Sequence, residues 1–337
     1  MARSTSATAQ TTSDSADREA PRADLAIVIV SHDPKWLDPC LGTLLPSLGG
    51  IKAEVVVVDN SPREGTRELL ATRFPTVRVI TVPNHGFSHA NNRGIASCDA
   101  RYILLLNPDT EIVSGSFADL VAEMDARPQV GLVGVRQVTA DGTLWPTIRY
   151  FPSVGRAVGE ALASEHWPRR PHWAGERELD LGAYEREVAC DWTSGSFMLA
   201  RREALLSSGL LDERFFLYCE ETDLCLRIKQ SGWEICHLPS MTIVHHAGKD
   251  ELRPRMVAQD AFARQQYARK HFDQPRRTVY MGALLARHLL RALRPGSDRT
   301  AAARRTAARA ALRTLSGRVE PPFGGPAATA VTTRGLD

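Results

Sequence analysis

The chain has 337 residues, 43% of them hydrophobic and 24% charged, enough for one large α/β domain with appendages or two small domains. Its net charge of +3 is unevenly placed: residues 276–318 carry eleven arginines against one acid, Asp298, a local +10 that leaves −7 for the remainder. An acidic body with a basic tail points to a surface-seeking C-terminus and excludes nucleic acid as the general partner. Six scattered cysteines without a C-x-x-C pair argue against a zinc site and for a reducing, cytoplasmic compartment.

Residues 1–23 are rich in Ser, Thr and Ala, lack the apolar stretch of a signal peptide, and read as a disordered leader. No apolar run approaches the roughly 20 residues of a membrane span. Leu25–Val30 is a continuous apolar run rich in β-branched residues, the pattern of a strand covered on both faces. It ends in Ser31-His32-Asp33-Pro34, before a helical segment over 36–48. A second strand, Glu54–Val58, ends in Asp59-Asn60-Ser61; a helix over 66–74 and a third strand over 77–80 follow. Strand–helix alternation at this spacing predicts a parallel sheet with ligands beyond the carboxyl ends of its strands, where Asp33 and Asp59 fall. Neither G-x-G-x-x-G after the first strand nor a P-loop is present, against a dinucleotide oxidoreductase or P-loop NTPase. Asp59 could read a ribose or base, or simply cap an Asx-turn.

The stretch 84–94, Asn-His-Gly-Phe-Ser-His-Ala-Asn-Asn-Arg-Gly, is dense in amides that suit sugar hydroxyls and phosphates, and equally suits a long polar turn. A fourth strand, Tyr102–Leu106, delivers Asn107-Pro108-Asp109, a carboxylate beside an amide at a strand end. A hard divalent cation held by few protein ligands would fit there. Residues 131–135 read as another strand. Residues 145–173, rich in Trp, Pro and Arg, form an excursion that could line a lipid-phosphate entrance or only pack as a loop. Asp191–Leu199 reads as a strand with a small-residue turn at Ser194-Gly195-Ser196.

Most informative is Phe215-Phe216-Leu217-Tyr218-Cys219-Glu220-Glu221-Thr222-Asp223, three acids in four positions behind an aromatic run and ahead of a helix. Such acids enrich a helix N-terminus, hold a metal, or serve as a general base whose pKa a neighbouring charge raises. Pro239–His246 then ends in two histidines, of which alternation along a strand lets one face inward. Residues 254–272 read as a helix, 279–294 as an amphipathic helix and 299–313 as an Ala/Arg-rich one. On the second, Met281, Leu284, Leu285, His288 and Ala292 lie opposite Arg287, Arg291 and Arg294, the pattern of a membrane-surface helix or of one packed on the body. Residues 319–337 read as a disordered end.

Taken in order, Val-Ser-His-Asp, Val-Val-Asp-Asn-Ser, the Asn-His-Gly-Phe…Asn-Arg-Gly stretch, Leu-Leu-Leu-Asn-Pro-Asp and Glu-Glu-Thr-Asp-Leu-Cys-Leu-Arg resemble the catalytic domain of glycosyltransferase family 2. The match runs from about Leu25 to Gly248 and looks most like bacterial rhamnosyltransferases acting on lipid-linked acceptors. The resemblance implies an α/β GT-A fold over 24–250, with a basic helical extension over 251–318. It implies a nucleotide-sugar donor, a glycan or polyprenyl-diphosphate-linked acceptor, and an inverting displacement aided by Mg²⁺ or Mn²⁺. By the same resemblance the donor contacts fall on Ser31, Asp33, Asp59, Asn60, Asn84, Phe87, Asn92 and Asn107. Metal contacts fall on Asp109 and His245, and acceptor contacts on Trp192, Gly195, Ser196 and Glu220. The family's Asp-x-Asp element is Asn107-Pro108-Asp109 here, and its Glu-Asp pair is Glu220-Glu221. The base is therefore Glu221 or Asp223, and Arg227 either pairs with these acids or faces the diphosphate. The implied setting is cytoplasmic, or peripheral on the inner face of the plasma membrane. A galactofuranosyl or hexosyl transferase is the neighbouring alternative. A nucleotidyltransferase would need a Gly-rich basic loop after the first strand, and an inactive binding module would not need Asp59, Asp109, Glu221 and His245 together.

Overall fold

The computed structural model describes residues 23–61, 64–167, 170–246, 253–294 and 297–323. The leader over 1–22, the domain boundary at 250 and the end beyond 323 lie outside these residues. The first strand, β1 (Ala23–Ser31), already begins at the last residue assigned to the leader. Chain order continues with α1 (Leu37–Leu44), β2 (Ala53–Asp59), α2 (Thr66–Arg73), β3 (Arg78–Thr81), α3 (Phe87–Ala96) and β4 (Ala100–Leu106). It then runs through β5 (Thr110–Ser114), α4 (Phe117–Asp125), β6 (Val130–Val138), α5 (Val154–Ala161), β7 (Val188–Ala189), β8 (Phe197–Arg201) and α6 (Arg202–Ser208). The last elements are α7 (Glu220–Gln230), β9 (Glu234–His245), α8 (Pro254–His271), α9 (Gln274–Leu293) and α10 (Asp298–Leu315).

One sheet runs in the order β3-β2-β1-β4-β8-β6-β9-β5, with β7 on the side of β9. The first four strands are parallel, as strand–helix alternation at this spacing predicts, and β1, β2 and β4 carry buried apolar runs. β8 is antiparallel to both β4 and β6, and β5 is antiparallel to β9. Strand–helix alternation carried no signal for that second half. Apolar side chains of β1, β2 and β4 alternate between two cores. Leu25, Ile27 and Ile29 pack with α1 and α4, while Ala26, Val28 and Val30 pack with α3, α6 and α7. Both faces are covered, so the polar strand ends at one edge are what remains for a ligand. Part of the stretch first read as a polar turn is α3, and the helix expected over 36–48 breaks into α1 and a 3₁₀ turn over Leu45–Leu48. Pro46 lies within that turn.

The C-terminal helices are built into the body of the fold. α8 packs beneath the acidic stretch through Ala263 and Tyr267 against Phe215 and Cys219. Arg264 reaches buried Glu176 at 2.8 Å and Arg287 reaches Glu160 at 2.8 Å. The side of α9 read as amphipathic faces inward: Leu284 and His288 are buried, and Met281 packs with Tyr280, Ala157 and Ala268. Leu289, Leu290 and Leu293 remain exposed instead, Leu293 at 78%. No helix among the described residues is long and apolar enough to cross a membrane.

Candidate active site

A cleft of about 540 Å³ opens at the carboxyl ends of the parallel strands. On one side it is lined by His32, Asp33 and Trp36 after β1, Asn60 after β2, Asn84 and Phe87 around the start of α3, and Asn107 and Asp109 after β4. Opposite stand Ser194-Gly195-Ser196, Phe216–Tyr218, Glu220, Glu221 and His245. Elements far apart in sequence meet here because strand ends and loops of the whole sheet converge on one edge.

Close backbone approach fixes that convergence. Gly86 has φ of +104°, and a Cβ there would meet Phe216 O at 2.6 Å. Phe87 N–H donates to the same carbonyl at 2.7 Å. Tyr218 and Cys219 both take left-handed φ values, +72° and +64°, just ahead of α7. Non-glycine residues in that region cost of order 1–3 kcal/mol each and persist where surrounding structure enforces them. The turn they make aims Glu220 and Glu221 at the cleft. Gly195 lies against Glu221, where an added Cβ would sit 3.7 Å from the Glu221 Cβ.

The three acids of α7 differ sharply. Burial pushes the Glu220 carboxyl well up, and the Glu221 charge adds to it. Burial likewise raises Glu221, against opposing help from its own backbone N–H and from Arg149. One oxygen of each, Oε2, has no hydrogen-bond partner. Asp223 points away from the cleft and is fully buried. Its Oδ1 accepts from His271 Nε2 at 2.7 Å and Lys270 Nζ lies at 2.6 Å, while Arg227 Nε donates to Oδ2 at 2.8 Å. Burial opposes its ionisation, but the His271 hydrogen bond, the Arg227 charge and Lys270 together lower its pKa. Arg227 also donates to Ser208 O, so it pairs with an acid and does not line the cleft.

Asp109 and His245 come together, His245 Nε2 lying 3.4 Å from Asp109 Oδ1. The contact lacks hydrogen-bond geometry, and neither buried ring nitrogen of His245 has a hydrogen-bond partner. A carboxylate and an orphaned imidazole at an open cleft fit a divalent cation whose remaining ligands come from a diphosphate. No group of three or more metal-type side chains exists among the described residues. His246 faces elsewhere, bonding Glu111 at 2.6 Å and stacking on Trp36.

Of the other residues singled out in the sequence, Ser31, Asp59, Asn92 and Trp192 are outside the cleft lining. Ser31 Oγ is buried without a partner. Asp59 accepts from Ser61 N–H at 3.0 Å, the Asx-turn. Asn92 clasps Leu211, donating to its carbonyl at 2.9 Å and accepting from its N–H at 3.1 Å, and also bonds Glu213. Trp192 is buried and donates Nε1–H to Tyr150 O at 2.9 Å. Asn60 reaches Asn84 Oδ1 at 3.4 Å, and Ser196 Oγ sits 2.8 Å from Gln137 Oε1. Phe323, placed by composition in a disordered end, lines the cleft: it stacks on Phe216 with centroids 6.2 Å apart and lies under Arg255. Nothing local to 319–323 signals this.

Residues 26–205 match Glycosyl transferase family 2. The chain belongs to that family. It is 33% identical over 237 residues to the N-acetylglucosaminyl-diphospho-decaprenol L-rhamnosyltransferase of Mycobacterium tuberculosis, covering 66% of this chain and 76% of that protein. It is 25% identical to the rhamnosyltransferase WbbL of Escherichia coli, covering 66% and 84%. Among solved structures, the mannosyltransferase PcManGT of Pyrobaculum calidifontis in complex with GDP-Man and Mn²⁺ superposes with a TM-score of 0.51 at 14% identity, covering 89% of each chain. GalNAc-T7 with UDP, GalNAc and Mn²⁺ gives 0.55 at 14%, covering 85% of this chain and 54% of that one. These likenesses agree with the GT-A fold, and the protein is a glycosyltransferase of family 2.

Proposed function

We propose that this glycosyltransferase is an inverting rhamnosyltransferase that moves rhamnose from dTDP-rhamnose to a hydroxyl of a polyprenyl-diphosphate-linked glycan. The observation that carries the mechanism is Glu221, a cleft-lining carboxyl with a raised pKa and a free oxygen. Rhamnosyl transfer and the lipid-linked acceptor are supported by the similarity to the mycobacterial and Escherichia coli enzymes.

In this reading the donor lies along Asp33, Asn60, Asn84 and Asn107, and the acceptor approaches past Gly195, Ser196 and Glu220. Glu221 takes the proton of the acceptor hydroxyl. The acceptor oxygen bonds to the anomeric carbon from the face opposite the diphosphate, the bond to the diphosphate oxygen breaks, and nucleoside diphosphate leaves. Asp109 and His245 would hold Mg²⁺ or Mn²⁺, which when bound offsets charge on the departing diphosphate. Asp223 serves as the buried anchor of α7 and α8, leaving Glu221 as the base. The reaction belongs at the inner face of the membrane, where the exposed Leu289, Leu290 and Leu293 of α9 take the place of its buried side as the lipid contact.

The test is transfer from dTDP-, UDP- and GDP-sugars to a short polyprenyl-diphosphate-sugar, with Mg²⁺, Mn²⁺ or chelator. Metal-dependent turnover of dTDP-rhamnose with inverted product supports the reading. Turnover of a galactofuranosyl or hexosyl donor instead keeps the mechanism and ends the rhamnosyl assignment.

A further inference from the structure

Arg149 sits in the 145–173 excursion, between two neighbouring backbone segments. It forms an antiparallel bridge with Arg177 on one side and with Trp192 on the other. Tyr150 N–H bonds Glu176 O and Glu178 N–H bonds Ile148 O, so the Arg149–Arg177 pair lies between ladder bonds. In such a pair the side chains are closest and share one face. Like charges directly opposite one another are destabilising. Trp192 supports the Arg149 guanidinium from the other side, 5.4 Å from its ring centroid.

Neither arginine has a carboxylate partner among the described residues, and Arg149 Nε is buried without a hydrogen bond. The nearby acids are already occupied: Glu176 holds Arg264 at 2.8 Å and Glu160 holds Arg287 at 2.8 Å. Burial, then the Arg177 charge, push the Arg149 guanidinium down to about 10. Arg177 is exposed and Arg149 is half-buried, so the pair reaches solvent through Arg177. Arg149 is also near enough to Glu221 for its charge to favour ionisation of that carboxyl. Trp192 leads directly into the Ser194-Gly195-Ser196 wall of the cleft.

We propose that Arg149 and Arg177 form an anion site that grips the diphosphate of a lipid-linked acceptor and so presents its sugar hydroxyl to Glu221. Two guanidinium forks carried on one face by paired positions suit paired phosphate oxygens, and a diphosphate would relieve their mutual repulsion. The site is separate from the donor end of the cleft at Asp109 and His245. The proposal rests on the lipid-diphosphate acceptor proposed above for its physiological ligand, but its binding chemistry can be read independently.

The experiment is calorimetric titration of the whole chain with geranyl diphosphate in chelator, using geraniol as the uncharged control. Wild type should bind the diphosphate at least tenfold more tightly than the alcohol. Arg177→Ala and Arg149→Ala should each weaken diphosphate binding roughly ten- to hundredfold, with geraniol unchanged. Arg149→Lys should fall between, since it keeps the charge and loses the fork. Arg177 is exposed, so Arg177→Ala tests the site even where Arg149→Ala fails to fold. Wild-type affinity in both Arg177→Ala and Arg149→Lys would overturn the proposal. So would loss of binding in Asp109→Asn with none in the arginine variants, which would put the diphosphate at the donor end. Arginine-dependent binding without transfer to the polyprenyl-diphosphate-sugar would leave the anion site standing and end the acceptor reading.

Discussion

Glu221 and Asp223 lie two residues apart on α7, and the helix gives them opposite surroundings. Glu221 projects from the first turn into the cleft, with one oxygen unbonded and its pKa raised by burial. Asp223 turns inward to His271, Lys270 and Arg227, and its pKa is lowered. One position keeps a carboxylate uncomfortable and available. The other satisfies it completely and makes it a brace between α7 and α8. A sequence shows both as acids of the same short run; the angle of about 100° per residue around a helix is what separates their tasks.

The largest effect that tests this contrast is on turnover. Glu221→Gln should lower kcat by about 10²–10⁴-fold, the usual weight of a general base. Its urea midpoint should stay level or rise at neutral pH, because the substitution removes a buried charge that folding disfavours. Unaltered kcat in this variant would remove Glu221 as the base.

Asp223→Asn should show the reverse pattern. Breaking one partner out of a buried ionic cluster costs about 3–5 kcal/mol, measurable by urea unfolding, while turnover per folded molecule stays within a few-fold. Because the folded pKa of Asp223 lies below its ordinary 3.8, its stabilisation is present above that value and is lost as pH falls through the folded pKa. The acid limb of the stability profile should therefore be shallower in Asp223→Asn than in the wild type.

The pH dependence of kcat/KM sharpens the comparison further. A base must be deprotonated, so activity should rise with pH through a limb lying above 4.5, the ordinary carboxyl value from which Glu221 is raised. A limb at or below that value would contradict the buried setting of Glu221.

Smaller effects separate lining residues from clasps. Asn92→Ala should cost about 1–3 kcal/mol of stability through the unpaired Leu211 groups and leave the donor KM unchanged. Phe323→Ala should alter substrate KM by only several-fold, since an aromatic pair of this kind is worth about 0.5–1.5 kcal/mol.

Local chemistry was enough to read much of this protein. Short apolar runs at 25–30, 55–58 and 102–106, bounded by polar turn residues, mark buried strands, because a strand covered on both faces takes that pattern. The polar residues ending those runs must then collect at one edge, which is why Asp33, Asn60, Asn107 and Asp109 were legible as cleft residues. The order of these motifs was enough to resemble family 2. Asp59 and Asn92 have the right residue types near the right place, yet their side chains are spent on an Asx-turn and on Leu211. Only tertiary structure decided that, since a strand or helix position sets where a side chain starts but its neighbours set what it bonds. The same holds for α9, whose amphipathic pattern fixes that one side is buried and leaves open whether lipid or protein buries it. It holds also for Arg149 and Arg177, 28 positions apart, which lie opposite each other only because an antiparallel bridge pairs them.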